Sequence, residues 1–187
     1  MKVLLLNGSP RKNGCTYTAL NVVADALKAE GIDAEVFQAG DPDMENVKAA
    51  AAKLKDSDAL VVGSPVYWAS PSGQIIEFMD RLASVAGKDM LYKPAAAVAS
   101  ARRAGTTATL DVLTKYFSYH QMPVVSSCYW NMVHGNTPEE VMKDEGVQIM
   151  RVLGKNMAWL LKCIEAGKKN GVAVPAAEDK IKTNFIR

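Results

Sequence analysis

Residues 3–16 read Val3-Leu4-Leu5-Leu6-Asn7-Gly8-Ser9-Pro10-Arg11-Lys12-Asn13-Gly14-Cys15-Thr16. Val3 to Leu6 is a continuous apolar run bounded by turn residues, the pattern of a strand buried on both faces. From Thr16 onward, Ala19, Leu20, Val23 and Leu27 recur at helical spacing. The residues between therefore form a strand-to-helix turn. Backbone N–H groups at the start of the new helix have no partner within it and carry partial positive charge. The hydroxyls of Ser9 and Thr16 and the guanidinium of Arg11 add further donors. Such a turn suits a phosphate. The alternative is an ordinary turn capped by Asn13 or Thr16.

Three familiar phosphate loops fail here. A P-loop ends in Gly-Lys followed by Ser or Thr, whereas Gly14 precedes Cys15. A dinucleotide fingerprint needs Gly-x-Gly-x-x-Gly, and only Gly8 and Gly14 are present. A cysteine phosphatase needs an arginine six places beyond Cys15, where Asn21 stands. What remains is a loop of hydroxyls and backbone donors.

The chain has 187 residues, which predicts one domain, residues 1–187, with a sizeable core. Its 22 basic and 20 acidic residues balance to +2, against a nucleic-acid or membrane-surface partner. Lys2 precedes only a four-residue apolar run, which reads as no signal peptide. No apolar stretch is long enough for a membrane span. Cys15, Cys128 and Cys163 are far apart, suit a reducing cytoplasm and lack metal-binding spacing. Only two histidines, His120 and His134, are present, too few for a histidine-built metal site.

In chain order, the patterns predict strands at 2–6, 33–38, 59–63, 94–99 and 123–127. They predict helices at 15–30, 44–55, 73–85 and 106–120. A capping box at Thr137-Pro138-Glu139-Glu140 precedes a helical stripe running to about residue 166. The tail from Lys168 is polar and free to run over the surface or onto a partner. Strand then helix, five times over, means an α/β fold with an open parallel sheet and helices on both faces. Ligands in such sheets bind at the carboxyl ends of the strands.

Two further loops reach that edge. Residues 64–72, Ser64-Pro65-Val66-Tyr67-Trp68-Ala69-Ser70-Pro71-Ser72, set two aromatic rings between prolines. They suit a flat, polar-edged ring, or else pack over the sheet or into an interface. Residues 100–106, Ser100-Ala101-Arg102-Arg103-Ala104-Gly105-Thr106, bring hydroxyls, backbone donors and two cations, or else form a solvated basic turn. The run Cys128-Tyr129-Trp130 is apolar for an exposed loop, which favours a subunit interface over packing within one chain. Cys15 sits at a helix start, where a thiol pKa is lowered. With no base or second cysteine nearby in sequence, it reads as a small lining residue.

Asn7-Gly8-Ser9-Pro10-Arg11-Lys12-Asn13-Gly14-Cys15-Thr16, with Gly63-Ser64-Pro65-Val66-Tyr67-Trp68 and Gly73-Gln74 to Asp80-Arg81, resembles the NADPH-dependent FMN reductase and iron–sulfur flavoprotein-like group of the flavodoxin superfamily. The resemblance implies a flavodoxin-like three-layer α/β/α sandwich, five parallel strands in order 2-1-3-4-5, and bound FMN. It implies that Ser9, Arg11, Asn13, Gly14, Cys15 and Thr16 hold the FMN phosphate. Pro65, Val66, Tyr67 and Trp68 would lie along the isoalloxazine, and Ser100, Arg102 and Gly105 at its polar edge. It further implies a homodimer or homotetramer with flavins near the interface, consistent with Tyr129 and Trp130.

There are departures from the group. Its iron–sulfur members carry a cysteine cluster where this chain has Ala39-Gly40-Asp41-Pro42-Asp43-Met44, so no metal centre is expected. Cys15 replaces a common serine, and Ile76 a common lysine.

The resulting expectation is a cytoplasmic FMN-dependent oxidoreductase. Hydride passes from NADPH or NADH to the flavin, and electrons then pass to a quinone, a nitro or azo compound, or free flavin. This chemistry needs no side-chain acid or base, and no catalytic residue is assigned. The rivals are an electron carrier between protein partners, disfavoured by the near-neutral charge, and a flavin binder without turnover.

Overall fold

The computed structural model describes residues 1–176, 178, 181 and 183. Five strands form one parallel sheet: β1 (Lys2–Asn7), β2 (Asp33–Gln38), β3 (Ala59–Tyr67), β5 (Ala95–Ala101) and β6 (Met132–His134). A short antiparallel strand, β4 (Ser70–Pro71), pairs with the end of β3. The helices are α1 (Cys15–Ala29), α2 (Met44–Lys55), α3 (Gly73–Met90), α4 (Thr106–Tyr119), α5 (Pro138–Val141) and α6 (Gly146–Lys169). The sheet order is β2-β1-β3-β5-β6, the predicted order once β4 is set aside.

The apolar runs explain the layering. Side chains alternate across a strand, so Val3 and Leu5 join a core with α1 and α6. Leu4 and Leu6 join a second core with α2, α3 and α4. The same division holds for Val61 against Leu60 and Val62. A run with no polar alternation is thus the signature of a sheet covered on both faces. The small residues of β5 (Ala95, Ala96, Ala97 and Ala99) let helices approach its two sides closely.

The structure corrects several predicted boundaries. β3 does not stop at Gly63 but runs to Tyr67, where a turn through Trp68 and Ala69 returns the chain as β4. α3 continues past Val85 to Met90, across a kink at Ala86 (φ −130°, ψ 18°). The capping box heads its own four-residue helix, α5, in which Thr137 Oγ1 accepts from the Glu140 N–H at 3.3 Å. α6 begins separately at Gly146, and both the Gly146 and His134 N–H groups donate to Asp144 Oδ2.

A further correction concerns the fifth parallel strand. Its predicted span, 123–127, contributes only a bridge from Val124 to Ala95, and the paired strand is Met132–His134. Polar anchoring diverts the chain between them. Ser127 Oγ donates to the Ile149 carbonyl at 2.6 Å, and Asn156 Nδ2 donates to the Ser126 carbonyl at 2.8 Å. The predicted polar tail begins later than residue 168, because α6 runs to Lys169, and much of it lies outside the described residues. Among the described residues, no helix is long and apolar enough to cross a membrane.

Ser72 ties α3 to the first turn. Its hydroxyl donates to the Gly8 carbonyl at 2.9 Å and accepts from the Ile75 N–H at 3.3 Å, capping the helix. Its own N–H donates to Ser64 Oγ at 3.0 Å. Ser72→Ala strands both buried groups, so a loss of about 2 kcal/mol is expected in denaturant unfolding, and an unchanged midpoint would refute it.

Candidate functional site

The turn after β1 is built around Asn7, a fully buried residue to which sequence reasoning assigned no role. Its Oδ1 accepts from the Ser9 N–H at 3.2 Å. Its Nδ2 donates to Gln38 Oε1 at 2.8 Å and faces the Lys12 carbonyl at 3.3 Å. Gln38 in turn donates to the Ser9 carbonyl at 2.6 Å, and Ser9 Oγ accepts from the Arg11 N–H at 3.1 Å. The loop is therefore held from beneath by β1 and β2, which leaves its outer donors free for a ligand.

The start of α1 is uncapped. Gly14 is the N-cap, no side chain bonds the first N–H groups, and the first turn holds no acidic residue. The alternative of a turn capped by Asn13 or Thr16 is thereby excluded. Thr16 Oγ1 instead meets Ser100 Oγ at 2.7 Å, joining the first turn to the end of β5.

These elements enclose a cleft of about 250 Å³ at the carboxyl edge of the sheet. Ser9, Arg11, Gly14, Cys15, Thr16, Pro65, Val66, Tyr67, Ser100 and Arg102 line it, together with Ala101, Gly135 and Asn136. Three predicted residues stand apart from that lining: Asn13, Gly105 and Trp68. Asn13 is exposed in the loop, and Gly105 buttresses the β3–β4 turn from behind. Gly135 and Asn136 carry no signal of their own in the sequence; the strand that ends at His134, rather than at residue 127, delivers them to this edge.

A larger cavity, about 1110 Å³, lies by the last turns of α3 and α4 and is partly walled by Pro175, Ala176 and Ile181. Helices that follow parallel strands end at the amino edge of the sheet, away from the uncapped α1. Donor chemistry, rather than size, selects the smaller cleft.

Electrostatically the cleft favours an anion. It combines the helix start, the hydroxyls of Ser9, Thr16 and Ser100, Arg11 and Arg102, and among the described residues no carboxylate lines it. Arg11 is exposed and takes part in no ion pair among the described residues. This donor set fits a phosphate ester. Cys15 Sγ rests 3.6 Å from the Gly135 carbonyl. Burial pushes its pKa up; its own backbone N–H and Arg11 pull the other way, while Glu140 and Glu139 add to the rise. The lowered pKa expected of a helix start is thus outweighed. Iodoacetamide near neutral pH is expected to label exposed Cys128 and Cys163 several-fold faster than Cys15, and peptide mass spectrometry showing Cys15 labelled first would contradict this.

The turn between β3 and β4 is unusual. Trp68 (φ 52°) and Ala69 (φ 57°) are both left-handed, as a two-residue hairpin requires, yet neither is Gly, Asn or Asp. Each costs about 1 kcal/mol or more relative to glycine. Gly105 (φ 104°) holds the turn from behind, where an added Cβ would lie 2.7 Å from Ala69 Cα. Tyr67 is 41% exposed and lines the cleft, whereas Trp68 is 100% exposed. The aromatic pair Tyr129 and Trp130 meets edge to face at 4.6 Å and is also exposed.

The architecture is that of the flavodoxin-like proteins. A WrbA-like flavodoxin from Agrobacterium tumefaciens superposes with a TM-score of 0.68 at 19% identity, covering 87% of this chain and 97% of that one. FerB, an NAD(P)H:acceptor oxidoreductase from Paracoccus denitrificans, gives 0.70 at 16%, covering 87% and 97%. Residues 1–137 match the NADPH-dependent FMN reductase family, and the chain belongs to it. An iron-sulfur flavoprotein of Methanocaldococcus jannaschii is 29% identical over 192 residues, 88% of this chain and all of that protein. An NADPH azoreductase of a Bacillus species is 30% identical over 108 residues, 54% of this chain and 59% of that one. Family and fold together define an FMN-dependent oxidoreductase. Among the described residues, no group of three His, Cys, Asp or Glu side chains could hold a metal ion.

Proposed function

We propose that this chain transfers electrons from NADPH or NADH, by way of bound FMN, to a small acceptor: a quinone, a nitro or azo compound, or free flavin. The observation that carries the reading is the anion-suited cleft at the start of α1, walled by Tyr67 and by the Ser100–Arg102 turn. Bound FMN supplies the hydride and electron chemistry, and the chain supplies position and electrostatics.

Ser9, Arg11, Gly14, Thr16 and the first N–H groups of α1 would hold the phosphate, with Cys15 and Asn13 flanking it. Pro65, Val66 and Tyr67 would bound the ring, with Ser100 and Arg102 at its polar edge and Gly105 supporting the β3–β4 turn from behind. No side chain is assigned a proton-transfer role. We further propose that residues 1–187 act as one flavin-binding domain, that the protein works in the cytoplasm, and that it assembles as a homodimer or homotetramer. The exposed Tyr129 and Trp130 support the assembly reading.

The test is the visible spectrum of the FMN-loaded protein, followed by NADPH under anaerobic conditions. Flavin bands that bleach on NADPH are expected. Bands that bleach only with dithionite would favour an electron carrier. No flavin bands after incubation with FMN would overturn the reading.

A further inference from the structure

Trp68 has no packing role that explains its conformation. Its side chain is fully exposed, so it belongs neither to the core nor to the wall of the cleft. Its backbone is nevertheless left-handed, in tandem with Ala69, in a turn without the residues that adopt this shape readily. The turn is also firmly mounted. Val66 pairs with Pro71 and Tyr67 with Ser70, while Gly105 fits against Ala69 with no space for a Cβ. Strain held in place beside a ligand cleft points to function. Here the mounting displays a large aromatic face at the rim, one residue beyond the Tyr67 that lines the interior.

We infer that Trp68 is the landing surface for a flat aromatic ring of the second reactant, rather than a wall for the flavin. The inference rests on the reductase reading above. Stacking on an indole face recognises ring shape and tolerates substituents. Both a nicotinamide donor and an aromatic acceptor carry such a ring, and a small inorganic acceptor such as ferricyanide does not.

The experiment compares wild type, Trp68→Ala and Trp68→Phe. Affinity for FMN is read by quenching of flavin fluorescence on titrating the apoprotein, and mass by size-exclusion chromatography with light scattering. Steady-state constants are measured with NADPH and menadione, and with NADPH and ferricyanide. In Trp68→Ala, the FMN Kd is expected to stay within about twofold and the mass to be unchanged. The KM for NADPH or for menadione rises about fivefold or more, while ferricyanide turnover at saturating NADPH is preserved. Trp68→Phe restores most of that loss.

A rise confined to NADPH assigns the surface to the donor, and one confined to menadione assigns it to the acceptor. A weakened FMN Kd, a change of mass or no change in either KM would each overturn the inference. Wild-type protein that binds no FMN would instead sink the reductase reading, and this inference with it.

Discussion

Gly8→Ala is expected to lower the stability of the chain by about 3 kcal/mol and to weaken FMN binding by about tenfold or more. The N–H of Gly8 donates to the Gly63 carbonyl at 2.8 Å, locking the first turn onto β3. A Cβ added there would lie 2.6 Å from two side-chain carbons of Ile75 and 2.7 Å from the Gly63 oxygen. One of those atoms is backbone and cannot swing aside, so the loop must lift. Lifting it also disturbs the bond from Ser72 Oγ to the Gly8 carbonyl and moves Ser9 away from the cleft. Urea unfolding reads the first effect and flavin-fluorescence titration the second. An alanine variant with wild-type values in both would show that the turn does not position the cofactor.

The second large effect separates binding from stability. Arg11→Ala is expected to weaken FMN affinity by about 2 kcal/mol, roughly thirtyfold, and to leave the unfolding midpoint almost unmoved. Its guanidinium is exposed and joins no ion pair among the described residues, so the fold has little to lose. Its affinity contribution should shrink as salt is raised, since exposed charges are screened. Wild type and variant titrated at low and high ionic strength test both points. A variant that binds FMN as wild type does would move the phosphate elsewhere in the cleft.

Much of this architecture is legible in the sequence because burial leaves a simple mark. Four adjacent apolar residues at Val3 to Leu6 demand cover on both faces, and the alternation of strands with helical stripes then restricts the order of the sheet. The anion-suited turn is legible for a related reason. Hydroxyls, a cation and an uncapped helix start coincide within residues 9–16.

Other parts depend on contacts distant in sequence. The Ser127 bond to Ile149 and the Asn156 bond to Ser126 divert the chain before the sixth strand, and no local pattern at residues 123–127 announces them. The β3–β4 hairpin is hidden because Trp68-Ala69 lacks the usual turn chemistry and is imposed by Gly105. The supporting role of Asn7 is equally non-local, since its partner Gln38 lies 31 residues away.

The strand beside β5 is interrupted, which leaves the sheet without a long, regular margin on that side. A long, flat outer strand invites another chain to extend the sheet, and folded proteins blunt such margins with short strands, detours and charge. On one margin, β6 spans only Met132–His134 and is preceded by a detour from Ser126 to Asn131. On the other, β2 carries Glu35 bridged to Lys2 at 3.0 Å and to Lys53 at 2.6 Å. Both margins thus resist the edge-to-edge pairing that leads to fibril-like stacking.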